Sequence, residues 1–192
     1  MLYVIFDIED PVKFEAFQKL YDHMVKTRQP DFEFEEEEEP EIDWETITDE
    51  EYQALLEGWR NEPEPEEKRY KELFPDYAHT FLQSYIGYDK SRAGEYGFNT
   101  LGIFNYLEFS FETDMNNLEK LDEHHGKVEF SPHGFPYGGM ERFLMVLKAF
   151  GLTPTECYNG FTVYKFNWTS DFTHEAIELP KETEAYRKKL GW

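Results

Sequence analysis

Only one cysteine, Cys157, occurs in the 192 residues. Internal disulfides are therefore excluded, as is any zinc site built from cysteine thiolates. A lone thiol beside the Thr153-Pro154-Thr155 turn reads as a free structural cysteine rather than a nucleophile. Long apolar runs are also missing, since none approaches the ~20 residues of a membrane span. The start, Met1 to Asp7, lacks a basic region and meets an acid at once, unlike a signal peptide. A cytoplasmic protein without membrane contact is expected by default. Bases are few: 19 Lys and Arg against 41 Asp and Glu, for a formal net charge of -22. They are also scattered, which disfavours direct nucleic-acid binding, because phosphate contacts need clustered Lys and Arg. Catalytic signatures are absent: no Gly-x-Ser-x-Gly elbow, His-Glu-x-x-His pair, P-loop, dinucleotide fingerprint or EF-hand loop. No cofactor is implied, and a non-enzymatic role is favoured.

What is present is aromatic and acidic. Eighteen Phe, 13 Tyr and 4 Trp are spread along the chain. Such rings supply large buried areas, and a chain of this length buries roughly 70% of its unfolded surface. The acids are not spread. Eighteen of the 41 lie between Asp31 and Glu67, with Arg60 the only base among them. The remaining 23 acids face 18 bases, which is ordinary for a soluble domain. One flank of the molecule is therefore expected to carry most of the negative charge and to attract a basic partner.

Leu2 to Ile8 reads as a buried strand. Asp10 and Pro11 supply an N-cap and first helical position, and Phe14, Phe17, Leu20, Tyr21, Met24 and Val25 give residues 11–28 a helical stripe. Phe32 and Phe34 alternate with acids and suggest a short edge strand. Glu35 to Glu39 is a like-charge block that stays solvated. Ile42, Trp44 and Ile47 follow as anchors, then Thr48 and Glu51 at capping-box spacing, then Tyr52, Leu55, Leu56 and Trp59 on one stripe. Residues 31–67 thus read as a docked acidic helical insertion within a single domain spanning 1–192.

Helices are expected over 66–74 and 76–86, with a glycine-marked loop over 87–99. Residues 100–111 alternate like a strand, and Asp114 caps a predicted helix to about His124. Lys127 to Phe130 is a strand, 131–139 is turn-rich, and 140–150 is a helix ended by Gly151. A strand over 161–168 and a helix over 181–190 complete the chain. The fold class expected is α+β: a mainly antiparallel sheet with helices packed on one face. A ferredoxin-like, split βαβ arrangement is expected in the C-terminal half, within an α+β core over 100–168.

Two stretches compete as functional sites. The first is the acidic flank, with Glu35, Glu36, Glu37, Glu38 and Glu39 contacting a basic protein and Trp44 and Trp59 anchoring it. Immunity proteins that block cationic nucleases or toxins work in this way. The plainer alternative is a solvated surface that confers solubility. A duplex-mimicking array of carboxylates is a third reading. The second stretch is residues 131–142, a small-molecule-binding or catalytic loop in which His133, Tyr137 and Arg142 converge on an anion near a helix N-terminus. Gly and Pro there are equally what a tight connection demands. Adjacent His124 and His125 point about 100° apart on a helix and make poor paired ligands, so no metal site is assigned.

Overall fold

The computed structural model describes residues 1–34, 46–93, 99–132 and 140–191. The first strand, β1 (Leu2–Ile8), is followed by α1 (Pro11–Thr27). Asp10 caps α1 by accepting from the Val12 amide at 2.8 Å, ahead of Pro11. Next come α2 (Asp49–Asn61), α3 (Pro65–Leu73), α4 (Asp76–Ala93) and α5 (Thr100–Asn105). A π-helical turn, Tyr106–Ser110, continues α5. The hairpin β2 (Thr113–Lys120) and β3 (His125–Pro132) leads to α6 (Glu141–Ala149). Strands β4 (Leu152–Tyr158), β5 (Val163–Trp168) and β6 (His174–Glu178) and helix α7 (Pro180–Lys189) follow.

All pairings are antiparallel, in the order β2-β3-β1-β4-β5-β6. The α+β class is as the sequence implied. Strands β2-β3-β1-β4, with helices between β1 and β2 and between β3 and β4, have the split βαβ order. That unit begins at β1, however, and is not confined to residues 100–168. β1 takes a central place because its residues are apolar on both sides of the pleat. Val4 and Phe6 are wholly buried, and the Phe6 ring meets Phe14 of α1 at 6.3 Å. Tyr3 lies on the opposite face, where α7 brings Tyr186 to 5.0 Å in an edge-on contact. The last helix therefore covers the other side of the sheet.

Several sequence expectations are corrected. The supposed strand over 100–111 is α5 and the π turn. Ile103, Phe104, Tyr106, Leu107 and Glu108 are buried. Of these Ile103, Phe104 and Leu107, with Phe111 just beyond, follow a helical period. Ile103, Leu107 and Phe111 also fit an alternating pattern, which is why the stretch reads as a strand. The supposed helix from Asp114 is β2. A bulge between Met115 and Asn117 shifts the pleat, so Met115 and Leu118 acquire a helix-like spacing. His124 consequently sits in the hairpin turn and His125 begins β3, and Asp122 accepts from both of their amides. The Thr153-Pro154-Thr155 turn is a strand. The β1–β4 register shifts between Ile5 and Phe6, opposite that proline, and a bulge is where a strand tolerates one. β6, short and exposed, gave too weak an alternation to be read. Helix α4 runs through Gly87 to Ala93, where a loop was expected. Phe32 and Phe34 are not a strand but an edge-on ring pair at 4.8 Å.

The core is dominated by rings. Phe143 stacks on Phe111 at 5.0 Å and meets Phe130 at 5.8 Å, while Phe17 meets Phe150 at 5.6 Å. Each such pair contributes roughly 0.5–1.5 kcal/mol beyond its buried area. Gly151, at φ +66°, ends α6 as expected.

Candidate functional site: an acidic helix and its root

Helix α2 is built locally. The Thr48 amide donates to Glu51 Oε2 at 2.9 Å and the Glu51 amide donates to Thr48 Oγ1 at 3.3 Å, the reciprocal capping box expected from the spacing. Hydrogen bonds from the Thr48 backbone and hydroxyl hold the Glu51 carboxyl below its usual range. Asp49, Glu50 and Glu51 complement the positive end of the helix. What α2 does not do is bury its stripe. Leu55 and Leu56 are half-buried, Tyr52 is 40% and Trp59 45% exposed, and none of its described side chains is fully buried. Docking into the core is thus much slighter than the pattern suggested. Of the expected anchors, Trp59 lies on this exposed stripe, whereas Glu35 to Glu39 and Trp44 fall outside the described residues.

The segment is rooted by a cluster that sequence reasoning missed. Phe34 packs edge-on against Phe109 at 5.8 Å, and the Arg69 guanidinium covers the Phe34 ring at 4.0 Å. Arg69 then grips Glu108 with two parallel bonds, Nε to Oε1 at 2.9 Å and Nη2 to Oε2 at 3.0 Å. His23 Nε2 donates to Glu108 Oε1 at 2.7 Å, and its ring stacks on Phe104. The Glu108 side chain is fully buried. Burial alone would push its carboxyl up, but hydrogen bonds from His23 and Arg69 and the Arg69 charge outweigh it and hold the group below its ordinary value. The π turn carries this residue, and π-helical turns recur at special sites. Glu108 was the signal available: one acid inside the apolar run 101–111. His23, which stood alone in sequence, had none.

Beside this cluster Arg28 is also inward. It donates to the carbonyls of Thr113, Met24, Leu107 and Phe111 at 2.7–2.9 Å and to Thr27 Oγ1 at 3.4 Å. Burial pushes its pKa down, and Asp114 counters that. Its role is to tie the end of α1 to the π turn and β2.

The alternative loop fares differently. Arg142 stacks its guanidinium over the Tyr106 ring at 5.1 Å. Burial pushes the Tyr106 phenol up to about 12, with Arg142 and Arg28 opposing. His133 and Tyr137 lie outside the described residues. Cys157 is buried, and burial with the Glu156 charge pushes its thiol up to about 12. It stays protonated, as a structural cysteine does. His125 pairs with Asp122 at 2.8 Å. Among the described residues no group of three or more His, Cys, Asp and Glu converges on a metal position. No described helix is long and apolar enough to cross a membrane. Compared with protein-family models, curated proteins and solved structures, the chain matches none.

Proposed function

We propose that the protein is a non-enzymatic binding protein whose acidic flank docks a basic protein. The observation that carries this reading is helix α2, an acid-rich helix whose aromatic stripe, Tyr52 and Trp59, stands at the surface. Carboxylates steer a cationic partner inward, and aromatic side chains then hold it once water is excluded. A merely solubilising surface needs the charge but not the exposed rings. Glu35 to Glu39 extend the same charge in sequence. A cationic toxin or nuclease, blocked in the manner of an immunity protein, is the partner class with the matching chemistry, and the cytoplasm is the proposed location.

The test is affinity capture at low salt with the tagged chain, its Glu35–Glu39→Ser variant and its Tyr52→Ala/Trp59→Ala variant. The expected result is one high-pI protein, retained by the wild type and lost from both variants, and released by salt. Equal retention by all three would refute the proposal.

A further inference from the structure

The acidic segment leaves the body after Phe34 and returns through α3, and one cation reaches both ends. Lys26 of α1 lies over the Phe32 ring at 5.5 Å, and Phe32 meets Phe34 edge-on at 4.8 Å. Arg69 of α3 lies over the Phe34 ring at 4.0 Å. Two neighbouring rings are thus bracketed by cations from two different helices. Arg69 also grips Glu108, whose side chain is fully buried, with two bonds. A planar guanidinium can stack on a ring and bind a carboxylate twice, and an ammonium group cannot.

The two ends are anchored by different means. Helix α3 is fixed by core packing, since Tyr70 and Phe74 are buried and both meet Phe104. Phe32 and Phe34 are only half-buried, and it is the cations over them that tie them to α1 and α3. Glu35 to Glu39 follow Phe34 directly in the sequence. The point from which those five carboxylates start is therefore set at Phe34, and Arg69 links Phe34 to α3 and to the π turn. A fixed starting point lowers the ordering cost of docking.

We propose that Arg69 is a positioning residue for the docking flank: it clamps Phe34 to Glu108 and so fixes where the acidic segment departs from the body. The inference rests on the docking reading and names the residue that sets the geometry of that site. Arg69 need not touch the partner. It acts through the Phe34 ring, so a ring at position 34 matters more than apolar bulk there.

The experiment measures amide order parameters of the intact chain by NMR relaxation, in the wild type, Phe34→Tyr, Phe34→Leu and Arg69→Lys. Amides 32–34 should be rigid in the wild type and in Phe34→Tyr, near roughly 0.85, and fall below about 0.6 in the other two. Both loosened variants keep a bulky side chain at 34 and a cation at 69, so unchanged melting temperatures would certify their fold. Capture of the basic partner should weaken roughly threefold in the same two variants, the loss of one partly exposed cation–π contact. Rescue by Phe34→Tyr, but not by Phe34→Leu, separates the clamp from simple filling of space. Rigid amides in both Phe34→Leu and Arg69→Lys, or undiminished capture by loosened variants, would overturn the inference. Either result is distinct from failure of the docking reading, which would appear as undiminished partner capture by the Glu35–Glu39→Ser variant.

Discussion

The sheet with its packed helices and helix α2 are made from similar side chains and use them in opposite ways. In the body, Phe6, Phe17, Phe104, Phe111, Phe130, Phe143 and Phe150 are all wholly or almost wholly shielded from water. In α2 the stripe of Tyr52, Leu55, Leu56 and Trp59 has no fully shielded member. Helical spacing is equally good in α1 and α2, and both begin with a well-formed cap. Amphipathic periodicity therefore says that a face wants cover, and not that the chain itself supplies it. On the proposed reading, stability resides in the body and the capacity for contact in the acidic flank. The Glu108 cluster joins the two.

That division can be broken most forcefully at the join. Glu108→Ala leaves Arg69 and His23 facing an empty, buried position and should cost about 3–5 kcal/mol in a denaturant melt. The pH dependence sharpens the point. Because the folded-state carboxyl titrates below its ordinary value of 4.5, its contribution is fully present above about that pH. It fades as pH falls through the folded value. Melting curves from pH 7 to pH 3 should show this acid limb in the wild type and a shallower one in Glu108→Gln.

A smaller effect is expected within the body itself. A Cβ on Gly126 would overlap the Phe6 ring across the β1–β3 pair. Gly126→Ala should therefore cost about 1–3 kcal/mol by overpacking, read as a lower midpoint with an unchanged denaturant slope.

The smallest effects belong to α2. Thr48→Ala removes the cap and should cost roughly 1 kcal/mol of helix stability. The loss should appear as faster amide exchange confined to residues 49–59, because α2 is scarcely coupled to the core. Trp59→Ala should change global stability by no more than about 0.5 kcal/mol. If either substitution lowered the global melt as much as Gly126→Ala does, the two regions would not be separable as described.

Where the chain was legible, a local cause was enough. Asp10 before Pro11, Thr48 before Glu51 and Gly151 after Phe150 each mark a boundary through chemistry within one turn of it. The α+β class followed from the alternation of such elements. Where it was illegible, a distant partner decided. The bulge at Met115 disguised β2 as a helix, and the bulge opposite Pro154 let a turn signal sit inside β4. Of the candidate site residues, the place of Trp59 on a helical stripe was readable from its spacing. Glu108, Arg69 and His23 converge from the π turn, α3 and α1, and no spacing in a linear sequence encodes that meeting. The Arg142 guanidinium lies over Tyr106, in the π turn of a stretch that the sequence presented as a strand.

On the proposed reading, the acidic flank, rather than the molecule as a whole, governs association with a cationic partner. The most direct test is the ionic-strength dependence of the association rate, measured by stopped flow with the captured partner. The wild-type rate should fall steeply as salt rises, and the Glu35–Glu39→Ser rate should be lower and nearly flat. Parallel slopes for the two proteins would contradict the account.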